Sequence, residues 1–214
     1  LYKSIFRAAM ESRIIDHTPT VYLTTKGGGV PQEDRQALTD EQAERLLDAI
    51  RDLPPYVFVM IGLYAGLRRE EILALQWDSV YLDTDTPYLT VRRAWHTEHN
   101  RPVISDELKT KAAERNIPLP VCLAEGLKEA KETSTSEYVV SIRDGEPLSY
   151  TQFKRLWQYI VTRTVKERSY YRYEDGKRVK HTVTPVLGEK AAHNGKVVYS
   201  LDFEVTPHQL RHTY

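Results

Sequence analysis

The residue types that handle a phosphodiester sit together near residue 210. The stretch reads Val205-Thr206-Pro207-His208-Gln209-Leu210-Arg211-His212-Thr213-Tyr214. Thr206 suits a helix N-cap, Pro207 suits the first helical position, and Gln209 stands three residues after the cap, as in a capping box. In such a helix His208 and Arg211 share a face. Both lie at its start, where free backbone N–H groups and the helix dipole favour an anion. A guanidinium presents a rigid fork of donors that matches phosphate oxygens. An imidazole carries a proton near neutral pH. The plainer alternative is a capped surface helix with a solvated His and Arg.

Two other stretches carry chemistry-bearing residues. In Gly66-Leu67-Arg68-Arg69-Glu70-Glu71-Ile72-Leu73-Ala74-Leu75, Gly66 ends one helix and the next begins near Arg68. Glu71, three residues on, can hold the Arg68 guanidinium; the plainer reading is a surface ion pair worth little. In Glu107-Leu108-Lys109-Thr110-Lys111-Ala112-Ala113-Glu114-Arg115 a polar β-turn carries two lysines. It is either a solvated hairpin end or a lysine finger reaching into a groove. Weaker signals dissolve on inspection. Gly27–Gly29 lack the strand and helix that a phosphate loop needs. Asp83 and Asp85 lack further ligands and read as turn chemistry. His96 and His99 lack the glutamate of a helical zinc motif and read as a hairpin end.

The elements that must position these residues follow from pattern. Residues 1–15 read as a helix, with Ile5, Phe6, Ala9 and Ile14 near helical spacing. The glycines and proline of 24–36 read as a linker. Thr39 and Gln42 form a capping box ahead of an apolar face of Ala43, Leu46, Leu47 and Ile50. Tyr56–Tyr64 is apolar nearly all round and reads as a buried helix. Trp77–Val80 and Asp83–Thr86 read as turns. Tyr88–His96, Pro102–Ile104 and Arg115–Leu119 read as short strands of a small antiparallel sheet. Helices are predicted over Pro120–Thr133 and Ser149–Thr164, with a short strand at Tyr138–Ser141. Over Val165–Glu204 the alternation predicts one or two inserted hairpins. The tyrosines there, Tyr170, Tyr171 and Tyr173, either line an exposed strand face or contact nucleic acid.

Composition sets bounds. The chain has 214 residues, 41% apolar and 28% charged, as an ordinary globular protein has. Its 30 basic and 30 acidic residues cancel, yet Ser149–Tyr214 holds 12 Lys and Arg against 6 Asp and Glu. Such a basic third is a modest electrostatic footprint. The single cysteine, Cys122, forbids a disulfide framework and agrees with a reducing cytosol. The longest apolar run, Tyr56–Leu67, is too short to span a bilayer. The chain opens on Leu1 in mid-pattern and stops at Tyr214 inside a helix, so both ends read as cut.

The three motifs, in this order, resemble those of the tyrosine recombinase (phage integrase) family, most closely integrases of Gram-positive phages and conjugative transposons. The resemblance rests on Ala65–Leu75, on Leu108-Lys109-Thr110-Lys111 running to Ile117-Pro118-Leu119-Pro120, and on Thr206–Tyr214. It implies an α+β, mainly helical catalytic domain with a small antiparallel β-sheet at 37–214. Residues 1–23 would be the last helix of a helical core-binding domain, and 24–36 the linker. It implies catalytic roles for Arg68, Lys109, His208 and Arg211, with Glu71 in support and Lys111 as the alternative lysine. Thr151, Lys154 and Arg155 would face DNA, as would Lys111. It also implies strand cleavage and rejoining through a 3′-phosphotyrosyl bond, no metal and no cofactor, and a homotetramer on a double-stranded recombination site. It leaves room for an accessory DNA-bending protein, and it implies a cytoplasmic protein encoded by a bacterium or phage. One departure matters: Tyr214 follows Arg211 too closely to be the family's nucleophile, so the chain is expected not to cleave DNA. The competing readings are a non-catalytic sequence-specific DNA-binding module and a metal-dependent nuclease, the latter wanting more clustered carboxylates.

Overall fold

A computed structural model describes residues 2–20, 36–106, 114–141, 145–192 and 194–214. All but the last residue of the linker expected at 24–36, and the turn lysines Lys109 and Lys111, lie outside the described residues. The chain divides into two compact units, Leu1–Arg35 and Gln36–Tyr214. In the first, α1 (Tyr2–Glu11) half-buries Phe6 and Ala9 and leaves Ile5 exposed, and Ile14, beyond the end of the helix, is exposed as well.

The second unit is built around one helix. It opens with α2 (Asp40–Ile50), whose capping box is closed in both directions. The Gln42 N–H donates to the Thr39 hydroxyl at 3.2 Å, and the Thr39 N–H donates to the Gln42 side chain at 3.1 Å. Leu46, Leu47 and Ile50 face inward. The central helix, α3 (Tyr56–Ala65), buries Phe58, Val59, Met60, Ile61, Leu63 and Ala65, as expected of a helix apolar on every side. Gly66 ends it in the left-handed conformation at φ 60. After Arg68 comes the one-turn α4 (Arg69–Leu73), which buries Glu71, Ile72 and Leu73.

A 3₁₀ turn at Trp77–Ser79 leads into β1 (Val80–Tyr81), followed by β2 (Tyr88–Val91), β3 (Ala94–Glu98), β4 (Arg101–Ser105) and β5 (Arg115–Pro118). Strands β1, β2 and β5 form an antiparallel sheet in the order β1-β2-β5, with Leu89 opposite Ile117 and Val91 opposite Arg115. Strands β3 and β4 form a separate hairpin. His99 and Asn100 turn it with φ of 48 and 62, the pattern of a tight two-residue turn. Helices α5 (Val121–Thr133) and α6 (Tyr150–Val161) bury Leu123, Ala124 and Leu127, and Phe153, Leu156 and Ile160 respectively. Phe153 and Trp157 of α6 close on Phe58, with ring centroids 5.3 and 5.9 Å away. Two hairpins follow, β6 (Arg168–Glu174) with β7 (Lys177–Val183) and β8 (Lys190–Ala191) with β9 (Asn194–Val198). The chain then enters α7 (Pro207–Thr213). The α+β, mainly helical class is therefore the one observed. No helix among the described residues is long and apolar enough to cross a membrane.

Three expectations change in detail. The single strand expected over Tyr88–His96 is two strands in different sheets, broken at Arg92 and Arg93. Asp78 binds both guanidiniums at this break, with Arg93 on its two oxygens at 2.7 and 2.9 Å and Arg92 at 2.6 Å. Trp77–Val80 is a 3₁₀ turn running into a strand rather than a plain turn. Tyr138–Ser141 is buried over its first three residues but makes only isolated bridges, to Gln76 and Pro147, because no strand runs long enough beside it.

Helix α7 reaches its place through two glycines of the α3 region. A Cβ on Gly62 would lie 2.9 Å from the Leu210 side chain, and one on Gly66 would lie 2.5 Å from the Tyr214 ring. The Leu38 N–H donates to the Thr213 hydroxyl at 3.0 Å, and the Gln209 side chain donates to the Gln36 carbonyl at 3.2 Å. Gly62→Ala is therefore expected to destabilise the chain by about 1–3 kcal/mol through overpacking. In urea titrations the midpoint should fall with an unchanged slope. Leu210→Ala in the same chain should cost less than the sum of the two single changes, because it vacates the contested space. Strict additivity would show that the close approach is not the cause.

Candidate phosphate-binding site

The site is organised by a carboxylate. Glu71 lies at the start of α4 with its side chain only 5% exposed. Its Oε2 accepts the Arg68 backbone N–H at 2.8 Å, and its Oε1 accepts the Arg68 guanidinium at 3.0 Å. Arg115, the first residue of β5, binds both oxygens, at 3.1 and 2.8 Å. Arg211 of α7 stands 3.9 Å from Oε2 and donates to the Gly66 carbonyl at 2.8 Å. Three guanidiniums from three separated elements thus surround one carboxylate. The plain surface ion pair is excluded for Arg68, because its partner is buried and shared.

The electrostatics follow. Burial opposes ionisation of Glu71, but the hydrogen bonds from Arg115 and Arg68 outweigh it and hold the carboxyl below its usual range. Burial, then repulsion from Arg68, lowers the Arg211 pKa; Glu71 opposes this and Arg115 adds to it. Arg211 stays charged, since a guanidinium does not lose its proton in a protein. Three positive charges against one negative leave a net positive cluster. The Arg68, Arg211 and Arg115 side chains are 55%, 32% and 29% exposed, so all three guanidiniums border solvent. Such an arrangement attracts a second, external anion.

The other predicted residues are placed as follows. His208 is exposed on α7, and its ring meets that of His212 edge-on at 4.4 Å. The groups paired with Glu71 among the described residues are arginines, and His208 is not one of them. Thr151, Lys154 and Arg155 are exposed on α6, with the Lys154 ammonium 5.0 Å above the Tyr150 ring. The Thr206 capping box forms, with the Thr206 N–H donating to the Gln209 side chain at 3.0 Å. Asp83, Asp85 and His99 take turn positions, whereas His96, expected at the hairpin end, lies in the middle of β3 opposite Val103, its ring 3.0 Å from the Glu98 carboxylate. No group of three His, Cys, Asp or Glu among the described residues is placed to hold a metal ion.

Arg115 was not anticipated from sequence. It follows a lysine-rich turn and reads there as one more solvated charge. Its sequence signal is only that it is the one cation in a strand that otherwise reads Asn-Ile-Pro. His212, four residues after His208, was likewise passed over.

Comparison with known proteins agrees with the fold. The Phage integrase family matches residues 36–214, and the chain belongs to that family. An integrase of Streptomyces ambofaciens is 27% identical over 146 residues, 61% of this chain and 37% of that protein. The solved structure of the Tn1549 transposon integrase in complex with circular intermediate DNA aligns over 99% of this chain and 63% of its own, with a TM-score of 0.67 and 18% identity. A lambda integrase tetramer bound to a Holliday junction aligns over 74% and 44%, with a TM-score of 0.52 and 17% identity. The chain thus spans little more than a third of the curated relative and under two thirds of these structures. At such identities the solved structures speak to the fold alone.

Glu71 gives the site a pH signature. Its folded pKa is depressed, so the ionised group contributes full stability above the usual glutamate range near 4.5, and that contribution drains away as pH falls through the lower folded value. Glu71→Gln leaves three guanidiniums facing an amide. It should cost about 2–3 kcal/mol at pH 7, less than a fully buried pair because the arginines reach water. The gap between the two proteins in urea should narrow by pH 3. A gap of the same size at both pH values would mean that the Glu71 charge does not hold the cluster.

Proposed function

We propose that residues 36–214 form the phosphate-activating core of a tyrosine-type site-specific DNA recombinase. The observation that carries this reading is the convergence of Arg68 and Arg211 on one buried carboxylate in a chain of the phage integrase family. The two guanidiniums clamp the non-bridging oxygens of the scissile phosphate, where charge builds as the phosphorus is attacked. Glu71 fixes their spacing without neutralising them. Lys109, or Lys111 two residues on, protonates the leaving 5′ oxygen, and His208 handles the proton of the attacking group. Attack by a tyrosine gives a 3′-phosphotyrosyl bond, which keeps the phosphoester energy for rejoining. Tyr214 is not that nucleophile in this reading, because it follows Arg211 too closely along the chain.

The same reading assigns residues 1–23 to the end of a helical core-binding domain and 24–36 to the linker, so that two domains clamp the duplex. It includes a homotetramer on the recombination site, an accessory DNA-bending protein and a cytoplasmic setting, the last supported by the exposed free thiol of Cys122. Thr151, Lys154 and Arg155 contact the DNA backbone from α6. Reversing both charges at Lys154 and Arg155 should weaken duplex binding and reduce its salt slope by about 2. An unchanged slope removes α6 from the interface.

The chemistry can be tested without the nucleophile. DNA bearing a 3′-(4-nitrophenyl) phosphate imitates the phosphotyrosyl intermediate. When a 5′-hydroxyl strand attacks the phosphorus, a new phosphodiester forms and 4-nitrophenolate leaves, which absorbs visible light. The 214-residue chain should accelerate that release. Arg68→Ala or Arg211→Ala should slow it by about 10²–10³-fold, the usual loss for one preorganised donor. Release by either variant at the unmodified rate would sink the assignment.

A further inference from the structure

The β6–β7 ribbon takes no part in the cluster around Glu71, yet it is built with care. Asp175 and Gly176 turn it with φ of 50 and 76. Its root is fixed by Arg168, which donates to the Thr162 carbonyl at 3.3 Å and to the Thr164 carbonyl, and whose guanidinium lies over the Tyr199 ring. The register sorts the remaining side chains onto two faces, because neighbours along a strand alternate and partners across it share a face.

The first face holds Tyr170 with His181, Arg172 with Val179, and Glu174 with Lys177. It carries a carboxylate, Glu174, among its cations. His181 lies 2.8 Å from Glu174 and stacks on Tyr170 at 5.3 Å, and Arg172 sits over Tyr170. The valines on this side are half-buried.

The second face holds Ser169 with Thr182, Tyr171 with Lys180, and Tyr173 with Arg178. It carries two cations, two phenols and two hydroxyls, and no carboxylate. All six residues are exposed, Tyr171 at 53% and Tyr173 at 77%. The Arg178 guanidinium lies 4.0 Å from the Tyr171 ring centroid, so it is held by a phenol face and keeps its N–H donors for something else. No acid among the described residues pairs with Arg178 or Lys180. The face is therefore complementary to a polyanion. A two-stranded ribbon also has the width of the DNA major groove.

We propose that this second face docks on duplex DNA, an inference that rests on the DNA reading of the chain given above. Arg178 and Lys180 contact phosphates, and the Tyr171 and Tyr173 hydroxyls hydrogen-bond to the same backbone, while the turn at Asp175 and Gly176 enters the groove. The contacts position the duplex and read no bases, as phosphate contacts do. Because they lie on an element separate from the Glu71 cluster, they add affinity without touching the reacting phosphate.

The test uses the 214-residue chain and a fluorescent duplex, with anisotropy measured from 50 to 200 mM salt. Arg178→Glu with Lys180→Glu should weaken binding about tenfold or more and flatten the log–log salt slope by about 2. Tyr171→Phe with Tyr173→Phe should lower affinity by roughly a few-fold and leave the slope alone, since the phenols carry no charge. Arg172→Glu with Lys177→Glu, on the opposite face, is the control matched for net charge and should do clearly less than the double reversal. Equal loss in the control overturns the assignment of this face. Unchanged affinity and slope in the double reversal, with the unmodified chain still binding DNA, overturns the ribbon proposal and leaves the phosphate site standing. No binding by the unmodified chain overturns both. A change in sedimenting mass without a change in DNA affinity gives the face to a second copy of the chain. All substituted residues are exposed, and the melting temperature of each variant checks that it folds.

Discussion

The buried Glu71 carboxylate is the constraint on which the rest of this structure depends. A lone carboxylate at that depth would be costly to ionise. The hydrogen bonds of Arg115 from β5 and Arg68 from the start of α4 reverse the balance, and Arg211 of α7 stands 3.9 Å away. The dependence is mutual. Without the acid, Arg68, Arg115 and Arg211 would repel one another and turn toward water. With it, they are held close while their total charge stays positive. That combination of fixed geometry and uncancelled charge distinguishes an anion site from an ordinary salt bridge.

The elements that deliver the three arginines are held by packing. Helix α3 is apolar on all sides and therefore sits at the centre, with α2, α4, α5 and α7 arranged around it. It lacks a side chain where α7 crosses, at Gly62, and it ends in a left-handed Gly66 whose carbonyl takes the Arg211 guanidinium. One glycine thus closes α3, exposes a carbonyl to Arg211 and frees the chain to place Arg68 at the next helix start. On the far side, β5 is locked in register with β2, so that Arg115 falls at the sheet end beside α4. Asp78 does similar work nearby. It gathers Arg92 and Arg93 where one run of strand breaks into two sheets.

The C-terminal hairpins obey a different logic. The β6–β7 ribbon buries little and is stabilised by its turn, its own cross-strand pairs and the Arg168 root. Such an element resists only local unfolding and adds little to the global core. Its value lies in what it displays, which is why one face can carry cations without acids at small cost.

Local chemistry was legible in the sequence. The Thr39 and Thr206 capping boxes, the Gly66 helix end, the all-apolar α3 and the paired hairpins after Val165 all depend on neighbours within a few residues, and each formed as read. The Ser149–Gln152 box that starts α6 is equally local. The family motifs around Arg68 and Arg211 were likewise visible as words in the chain. What the sequence could not state was that these words meet on one carboxylate, that Glu71 is buried, or that Arg115 completes the set. Those facts depend on β5 packing beside α4 and on α7 crossing α3, contacts between residues tens to more than a hundred positions apart. Spacing along the chain carries no distance information at that range, so only the tertiary fold could decide which charges share a site and which face water.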